Sequence, residues 1–265
     1  MIKTILARIQ QKHRTMKYPD EPPVLPELFR GYPRIESHNC LEGCSRCIEA
    51  CPYGAVKAEK RDSGSGNSKG MTIDMGLCIF CNECALACPG RAISFTTGHQ
   101  LATSRREDLV VKADQGHTLA QALEEKRLKL FSRSLKLREV SAGGCNACEA
   151  DTNVLNTVGF DLGRFGIQFV ASPRHADGIF VTGPVSENMR EALLKTWAAI
   201  PEPKIAIVCG ACAIGGGPFR GSPEVHDGAC GLIPVDLFIP GCPPHPLTIL
   251  NGLLRLLGLN IDKNH

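Results

Sequence analysis

The sequence lacks most of the features that would send it into a membrane, through a secretory route or onto a nucleic acid. No apolar run among its 265 residues reaches the roughly 18 needed to span a bilayer. The N-terminus lacks the uninterrupted apolar stretch of a signal peptide, so the chain is expected to stay in the cytoplasm. Aromatic residues make up 5% of the chain and the formal net charge is +3. That charge is too small, and the aromatics too few beside the basic residues, for a nucleic-acid partner to be expected. Also missing are a glycine fingerprint for a nicotinamide or flavin and a persuasive nucleophile constellation. What remains is ordinary for a folded protein, with 43% hydrophobic and 22% charged residues.

Cysteine is the exception, at fourteen residues. In a chain that is not secreted, cysteines in this number point to metal or redox roles over a disulfide framework. Eight lie between 40 and 88, in CLEGCSRCIEACP and CIFCNECALACP, and six are scattered from 145 to 242. The first eight belong to an internal duplication. Cys44, Cys47, Cys51, Pro52, Ala55 and Val56 recur at an offset of 37 as Cys81, Cys84, Cys88, Pro89, Ala92 and Ile93. Cys78, Cys81, Cys84 and Cys88 with Pro89 give C-x2-C-x2-C-x3-C-P, in which thiolates wrap an iron-sulfur cube and the fourth cysteine serves the other cluster. By that rule Cys40, Cys44, Cys47 and Cys88 hold one [4Fe-4S] cluster, and Cys51, Cys78, Cys81 and Cys84 a second. Three residues separate Cys40 from Cys44 instead of two, so the first loop is longer by one. The alternative is a zinc ribbon, since C-x2-C pairs also make tetrahedral zinc sites. Between the repeats SGSGNSKG (63 to 70) reads as a flexible polar loop, and MTIDM before Cys78 as a short strand.

Upstream, Ile2, Ile5, Leu6 and Ile9 fall at helical spacing, while Lys3, Arg8, Lys12, Arg14 and Lys17 precede the first acid at Asp20. A basic amphipathic helix of this kind suits a membrane surface or a partner's groove. Five prolines between 19 and 33 then enforce an extended arm with little packing of its own, of the kind that lies on a neighbour. Together with Tyr18-Pro19, Phe29-Arg30-Gly31 and Ile73-Asp74-Met75, these runs resemble the two-cluster ferredoxin subunit of complex I and its hydrogenase relatives, over about residues 1 to 97. The resemblance implies an intermediate wire that passes single electrons.

Residues 98 to 135 read as a linker, with one short helix over Thr118 to Phe131. Beyond it strands and helices alternate, the pattern of a parallel sheet covered on its faces. Strands are expected at Leu137 to Ser141, Ile167 to Ala171, Gly178 to Thr182, Lys204 to Cys209 and Val235 to Ile239. Helices are expected at Asn146 to Val158, Ser186 to Ala199 and Pro246 to Leu257. Ligands of open α/β sheets sit beyond the carboxyl ends of the strands, and there lie Cys145 and Cys148, Cys212 and Cys242. The set suits a third [4Fe-4S] cluster, with structural zinc as the alternative. Cys209 and Cys230 read as small buried hydrophobes, although Cys209 is a rival to Cys212 as a ligand. Glu149 is a candidate proton relay, or else an acid complementing a helix N-terminus. His245 carries no assignment.

CNACE, GACAIGGG and PGCPPHP, with FGIQFVASPRHADGIFVTGPV between them, resemble the small electron-transfer subunit shared by [NiFe] hydrogenases and complex I, over about residues 136 to 258. The resemblance makes Cys145, Cys148, Cys212 and Cys242 the ligands of the proximal cluster, which faces a catalytic large subunit. In complex I the first pair is a tandem Cys-Cys; here Asn146 and Ala147 separate it, as in the hydrogenase branch. The implied organisation is an arm (1–33), an α+β ferredoxin-like domain for two [4Fe-4S] clusters (34–97), a linker (98–135) and an α/β flavodoxin-like domain (136–265). Three [4Fe-4S] clusters are implied as cofactors. The implied assembly is a group 4 membrane-bound hydrogenase of the formate hydrogenlyase type. Its partners would be a [NiFe] hydrogenase-like large subunit, complex I-like membrane subunits and an electron-donor subunit or ferredoxin, with this chain peripheral on the cytoplasmic side of the membrane. A quinone-reducing complex I relative and a zinc-stabilised scaffold are the alternatives.

Overall fold

A computed structural model describes residues 2–12, 14–59, 70–113, 116–131 and 134–259. Of the expected polar loop, residues 63–69 lie outside this set. Helix α1 (Ile2–Gln11) buries none of its residues, which leaves its apolar stripe in solvent. The proline-rich stretch that follows holds no regular element before β1 (Pro33–Ile35), since proline removes the backbone donor that either ladder would use.

The N-terminal half repeats its own architecture. β1 pairs antiparallel with β4 (Ile93–Phe95), Ile35 opposite Ile93. β2 (Val56–Glu59) pairs with β3 (Gly70–Asp74), Val56 opposite Ile73. Between the strands sit two single-turn helices, α2 (Arg46–Glu49) and α3 (Glu83–Leu86), whose buried residues are Cys47 and Cys84 at the duplication offset. Ile35, Ile73, Met75 and Ile93 form the small apolar core that fixes the two repeats together.

The segment expected to be a linker is a stitch between the halves. Its β5 (Val110–Lys112) joins β3 as the third strand of the N-terminal sheet. A few residues earlier Thr103 bridges Phe238 in the other half, through N–H···O bonds of 3.0 and 2.9 Å. The expected helix begins only at Glu125 (α4, Glu125–Phe131). Thr118 to Glu124 instead run along the C-terminal half, where Ala120 N–H bonds to the Ala102 carbonyl and Leu123 N–H to that of Leu256.

The C-terminal half is a five-stranded parallel sheet. Its strands are β6 (Leu135–Ser141), β7 (Ile167–Phe169), β8 (Gly178–Thr182), β9 (Ile205–Cys209) and β10 (Leu237–Ile239), in the order β10-β9-β8-β6-β7. Counted within this half the order is 2-1-3-4-5, that of flavodoxin-like folds, and it reverses between β6 and β8. α5 (Ala147–Val154) and α8 (Pro246–Leu256) pack beside Leu137, Phe180, Ile207 and Ile239 on one face. α6 (Glu187–Ala199) packs with Ile179, Val181 and Val208 on the other. α8 buries ten of its residues, all but Arg255, so the apolar face expected for it extends around nearly its whole circumference. The short α7 (Ala211–Gly215) has no counterpart among the expected helices, because one turn of alanine and glycine carries no periodicity. The core containing α6 continues without a break into Ile73 and Met75 of the N-terminal half.

Candidate iron-sulfur sites

The fold gathers twelve cysteines into three groups of four. Around the first, partial desolvation raises the thiol of Cys40, a surface residue, and the next causes are the thiols of Cys88 and Cys44. Cys47 is raised by burial and then by Cys88 and Cys40. Cys88 comes from the second repeat and stands with three cysteines of the first. The second group shows the reciprocal exchange. Cys51, Cys78, Cys81 and Cys84 line one small cavity walled by Ile73 and Phe95. Burial drives Cys78 up to about 12, with Cys84, Cys51 and Cys81 pushing the same way, and drives Cys84 to about 11, helped by Cys51 and Cys81.

Backbone donors already point at several sulfurs: Ala55 N–H at Cys51 (3.3 Å), Phe80 N–H at Cys78 (3.3 Å) and Ala92 N–H at Cys88 (3.2 Å). Such bonds favour the charged thiolate, the form that binds iron. One contact that no sequence pattern announced is the Met71 thioether, 3.2 Å from the Cys47 sulfur.

The third group assembles at the carboxyl edge of the parallel sheet. Cys145 and Cys148 follow β6, Cys212 lies on α7 after β9, and Cys242 follows β10. Cys212 rises to about 12 through burial and then the neighbouring Cys242, Cys148 and Cys145. Cys242 is raised by burial and then by Cys148 and Cys145. The pair Cys145–Cys148 is set by the same local device as Cys81–Cys84: in each C-N-x-C the asparagine is left-handed, Asn146 at φ 69° and Asn82 at φ 74°, and a helix begins on the next residue. Asparagine tolerates that conformation better than other residues with a Cβ. Gly210, at φ 93°, leaves the space that Cys148 occupies, since a Cβ there would lie 2.6 Å from its sulfur. Burial and neighbouring thiols favour the protonated form; iron held by these residues would displace the protons and supply the positive charge that balances the thiolates.

The remaining candidates are placed differently. Cys209 is fully buried, hydrogen-bonded to Cys148 and next to Glu139 and Glu149. The thiols beside Cys212, by contrast, are Cys242, Cys148 and Cys145. Cys230, expected as a buried hydrophobe, is instead exposed, and it donates to the Ile214 carbonyl at 3.2 Å. Glu149, 6% exposed, accepts from Ser141 (2.5 Å) and Thr182 (2.6 Å), the last residues of β6 and β8. Its carboxylate is therefore tied to the strand ends, a role for two hydroxyls that the sequence did not signal. Glu139, on the same strand as Ser141, is raised to about 7 by burial and then by Glu149, and its Oε1 is buried without a hydrogen-bond partner. His245 caps α8, its Nδ1 accepting from Leu247 N–H.

A duplicated cysteine-rich domain fused to a flavodoxin-like sheet whose edge collects four thiols defines an iron-sulfur protein of the oxidoreductase class. The family model for the 20 kDa subunit of NADH ubiquinone oxidoreductase matches residues 145–256, and that for a 4Fe-4S dicluster domain matches residues 37–100. The chain is 44% identical over 138 residues to formate hydrogenlyase subunit 7 of Escherichia coli, covering 52% of this chain and 54% of that protein. It is 42% identical over 137 residues to a probable membrane-bound hydrogenase subunit of Pyrococcus furiosus, covering 50% of this chain and 82% of that one. An NADH-quinone oxidoreductase subunit of Clostridium beijerinckii is 42% identical over 114 residues, 43% of this chain and 68% of its own length. Among solved structures, a chain of the archaeal membrane-bound sulfane sulfur reductase aligns at 28% identity with a TM-score of 0.45, over 54% of this chain and 78% of that one. The chain belongs to the family of the 20 kDa subunit of NADH ubiquinone oxidoreductase, with a 4Fe-4S dicluster domain placed ahead of it.

Proposed function

We propose that the chain is the electron-transfer subunit of a membrane-associated, energy-converting [NiFe] hydrogenase of the formate hydrogenlyase type. The observation that carries this reading is the grouping of the twelve cysteines into three sets, with Cys51 and Cys88 each exchanged into the other repeat's set. Each set would hold one [4Fe-4S] cluster, and the three would supply one-electron relay toward a catalytic large subunit. The protein's part is to hold the sites at fixed separations and to tune them. Gly76 and Leu77, just before Cys78, pack against Ile214 and Gly215 of α7: a Cβ on Gly76 would lie 2.8 Å from Ile214 Cγ2, and one on Gly215 2.5 Å from Leu77 Cδ2. That contact brings the Cys78 loop beside the element bearing Cys212, which supports a relay running from the Cys40 set through the Cys78 set to the sheet edge. At the ends of this line Cys40, Cys145 and Cys242 are exposed, as entry and exit to partner chains would require.

Ile2, Ile5, Leu6 and Ile9 of α1 are 53–76% exposed, and the helix carries Lys3 and Arg8 with no acidic residue. This supports peripheral attachment to complex I-like membrane subunits or the cytoplasmic membrane face. No helix among the described residues is long and apolar enough to cross a membrane. The spacing of Cys145 and Cys148 favours the hydrogenase branch over a quinone-reducing one. Anaerobic purification with its partners tests the reading. About twelve irons with equal sulfide and a large subunit bearing two nickel-binding cysteine pairs support it; a large subunit without those pairs overturns the hydrogenase assignment, and a colourless zinc protein overturns the relay.

A further inference from the structure

The proline-rich arm and its Phe29-Arg30-Gly31 motif take no part in any cysteine set, yet they touch both halves. The arm starts on the C-terminal half. Met16 N–H bonds to the Gly159 carbonyl (2.8 Å), the Arg164 guanidinium donates to the Tyr18 carbonyl (2.7 Å), and the Asn251 amide of α8 donates to the Tyr18 hydroxyl (2.7 Å). Tyr18 is 5% exposed, and Met16 and Leu25 pack against the core around α8. The arm ends in the N-terminal half, where Gly31 N–H bonds to the Thr96 carbonyl (2.7 Å) and Tyr32 N–H to that of Gly98 (3.0 Å).

Between these anchors, two adjacent side chains reach two different loops. The Arg30 guanidinium donates to the Phe80 carbonyl at 3.2 Å, inside the Cys78–Cys81 loop, and Phe80 N–H in turn faces the Cys78 sulfur. The Phe29 ring meets the His245 ring edge-on, with centroids 5.4 Å apart, three residues beyond Cys242. We infer that Phe29 and Arg30 are positioning residues, and that the arm is an intramolecular strap which fixes the gap between the Cys78 loop and the Cys242 loop. The reason is mechanical. The Thr103–Phe238 bridge, the Gly76–Leu77 contact with α7 and the shared core join the two halves as bodies; Phe29 and Arg30 add a tie that reaches the two cysteine loops themselves. Electron tunnelling falls exponentially with distance, so a relay gains when the loops that carry its ligands, and not only the two halves, are held at a fixed separation. The consequence for tunnelling rests on the relay reading above; the strap itself does not.

The test is the full chain carrying Phe29→Ala and Arg30→Ala, compared with wild type by hydrogen exchange and, after anaerobic cluster assembly, by electron paramagnetic resonance. The strap predicts exchange about tenfold faster in 78–82 and at the amides of Gly241, Cys242, His245 and Leu247, with β8 and β9 unchanged, as when local opening loses one tie. It also predicts a weaker magnetic interaction between the reduced clusters at unchanged iron content. Wild-type exchange in either loop, or an unchanged magnetic interaction, overturns it. If the double variant does not fold, Arg30→Lys and Phe29→Leu are measured singly: each must loosen mainly the loop it touches, and equal effects on both loops overturn the assignment. A wild-type chain that takes up fewer than three clusters sinks the relay reading, while the exchange result still decides the strap.

Discussion

In the N-terminal half eight cysteines lie within residues 40–88, and each set of four draws three members from one short run. In the C-terminal half four cysteines spread over residues 145–242 meet only because three strands end at one edge. The first arrangement is held by local turns and by backbone N–H groups aimed at sulfur. The second is held by a parallel sheet, the left-handed Asn146 and the space left by Gly210. A local site tolerates damage elsewhere in the chain, whereas a site assembled from strand ends depends on the register of the whole sheet.

The most damaging way to probe this difference is to remove one thiol from each half. Cys212→Ser and Cys51→Ser should each lower the iron content from about twelve to about eight. Cys51→Ser should remove the paramagnetic signal of the Cys78 set and spare that of the Cys40 set; loss of the Cys40 signal instead would break the crossed assignment. Gly210→Ala comes next. The conformation at Gly210 costs a residue with a Cβ about 1–3 kcal/mol, and the new methyl would press on the Cys148 sulfur. Four irons should be lost with both N-terminal clusters intact, and full iron occupancy would show that the sheet edge yields where its geometry implies rigidity.

A smaller effect separates sheet stability from the sites. Glu139, raised to about 7 by burial and by Glu149, keeps a proton in the folded chain that the unfolded chain releases near 4.5. Its contribution is complete below about 4.5 and is lost as pH rises toward 7. Glu139→Gln should flatten that decline and stabilise the chain at pH 8 by roughly 1–2 kcal/mol, discounted from the full shift for its partial solvent contact. Urea unfolding at pH 5 and pH 8 measures this, and equal slopes for the two proteins would refute it. The least change is expected from Cys209→Ala. Loss of its hydrogen bond to Cys148 should lower the potential of the sheet-edge cluster by no more than about 59 mV, tenfold for one electron. The potentials of the other two clusters, followed in the same redox titration, should not move.

How far each region is legible follows from the same contrast. The crossed sets of the N-terminal half come from spacing alone, because turns in a run of a dozen residues leave thiolates few places to go. The five strands of the sheet lie close to where they are expected: β8 matches, β7, β9 and β10 are shorter by one or two residues, and β6 begins two residues earlier, since β-branched and apolar runs mark buried parallel strands whatever surrounds them. The linker is where the sequence misleads: Val110 to Lys112 and Thr103 have no periodicity of their own and become strand and bridge only when two sheet edges offer them unpaired backbone groups. Helix α4 is expected to start at Thr118, but Thr118 to Glu124 lie extended along the C-terminal half, where backbone bonds from Ala120 and Leu123 compete with helix formation. The arm, expected to rest on a neighbour, finds that neighbour in the other half of its own chain.

The sequence by itself determined the cysteine spacings, the repeat, the order of strands and helices and the family's motifs, because all of these are local. Only the tertiary structure decided that Glu149 is tied between Ser141 and Thr182, and that Phe29 and Arg30 reach two loops at once. Those facts depend on which strand ends and loops come within a few ångströms of one another. Chain spacing does not encode such distances; the packing of α5, α6 and α8 on a twisted sheet, and of one half on the other, sets them.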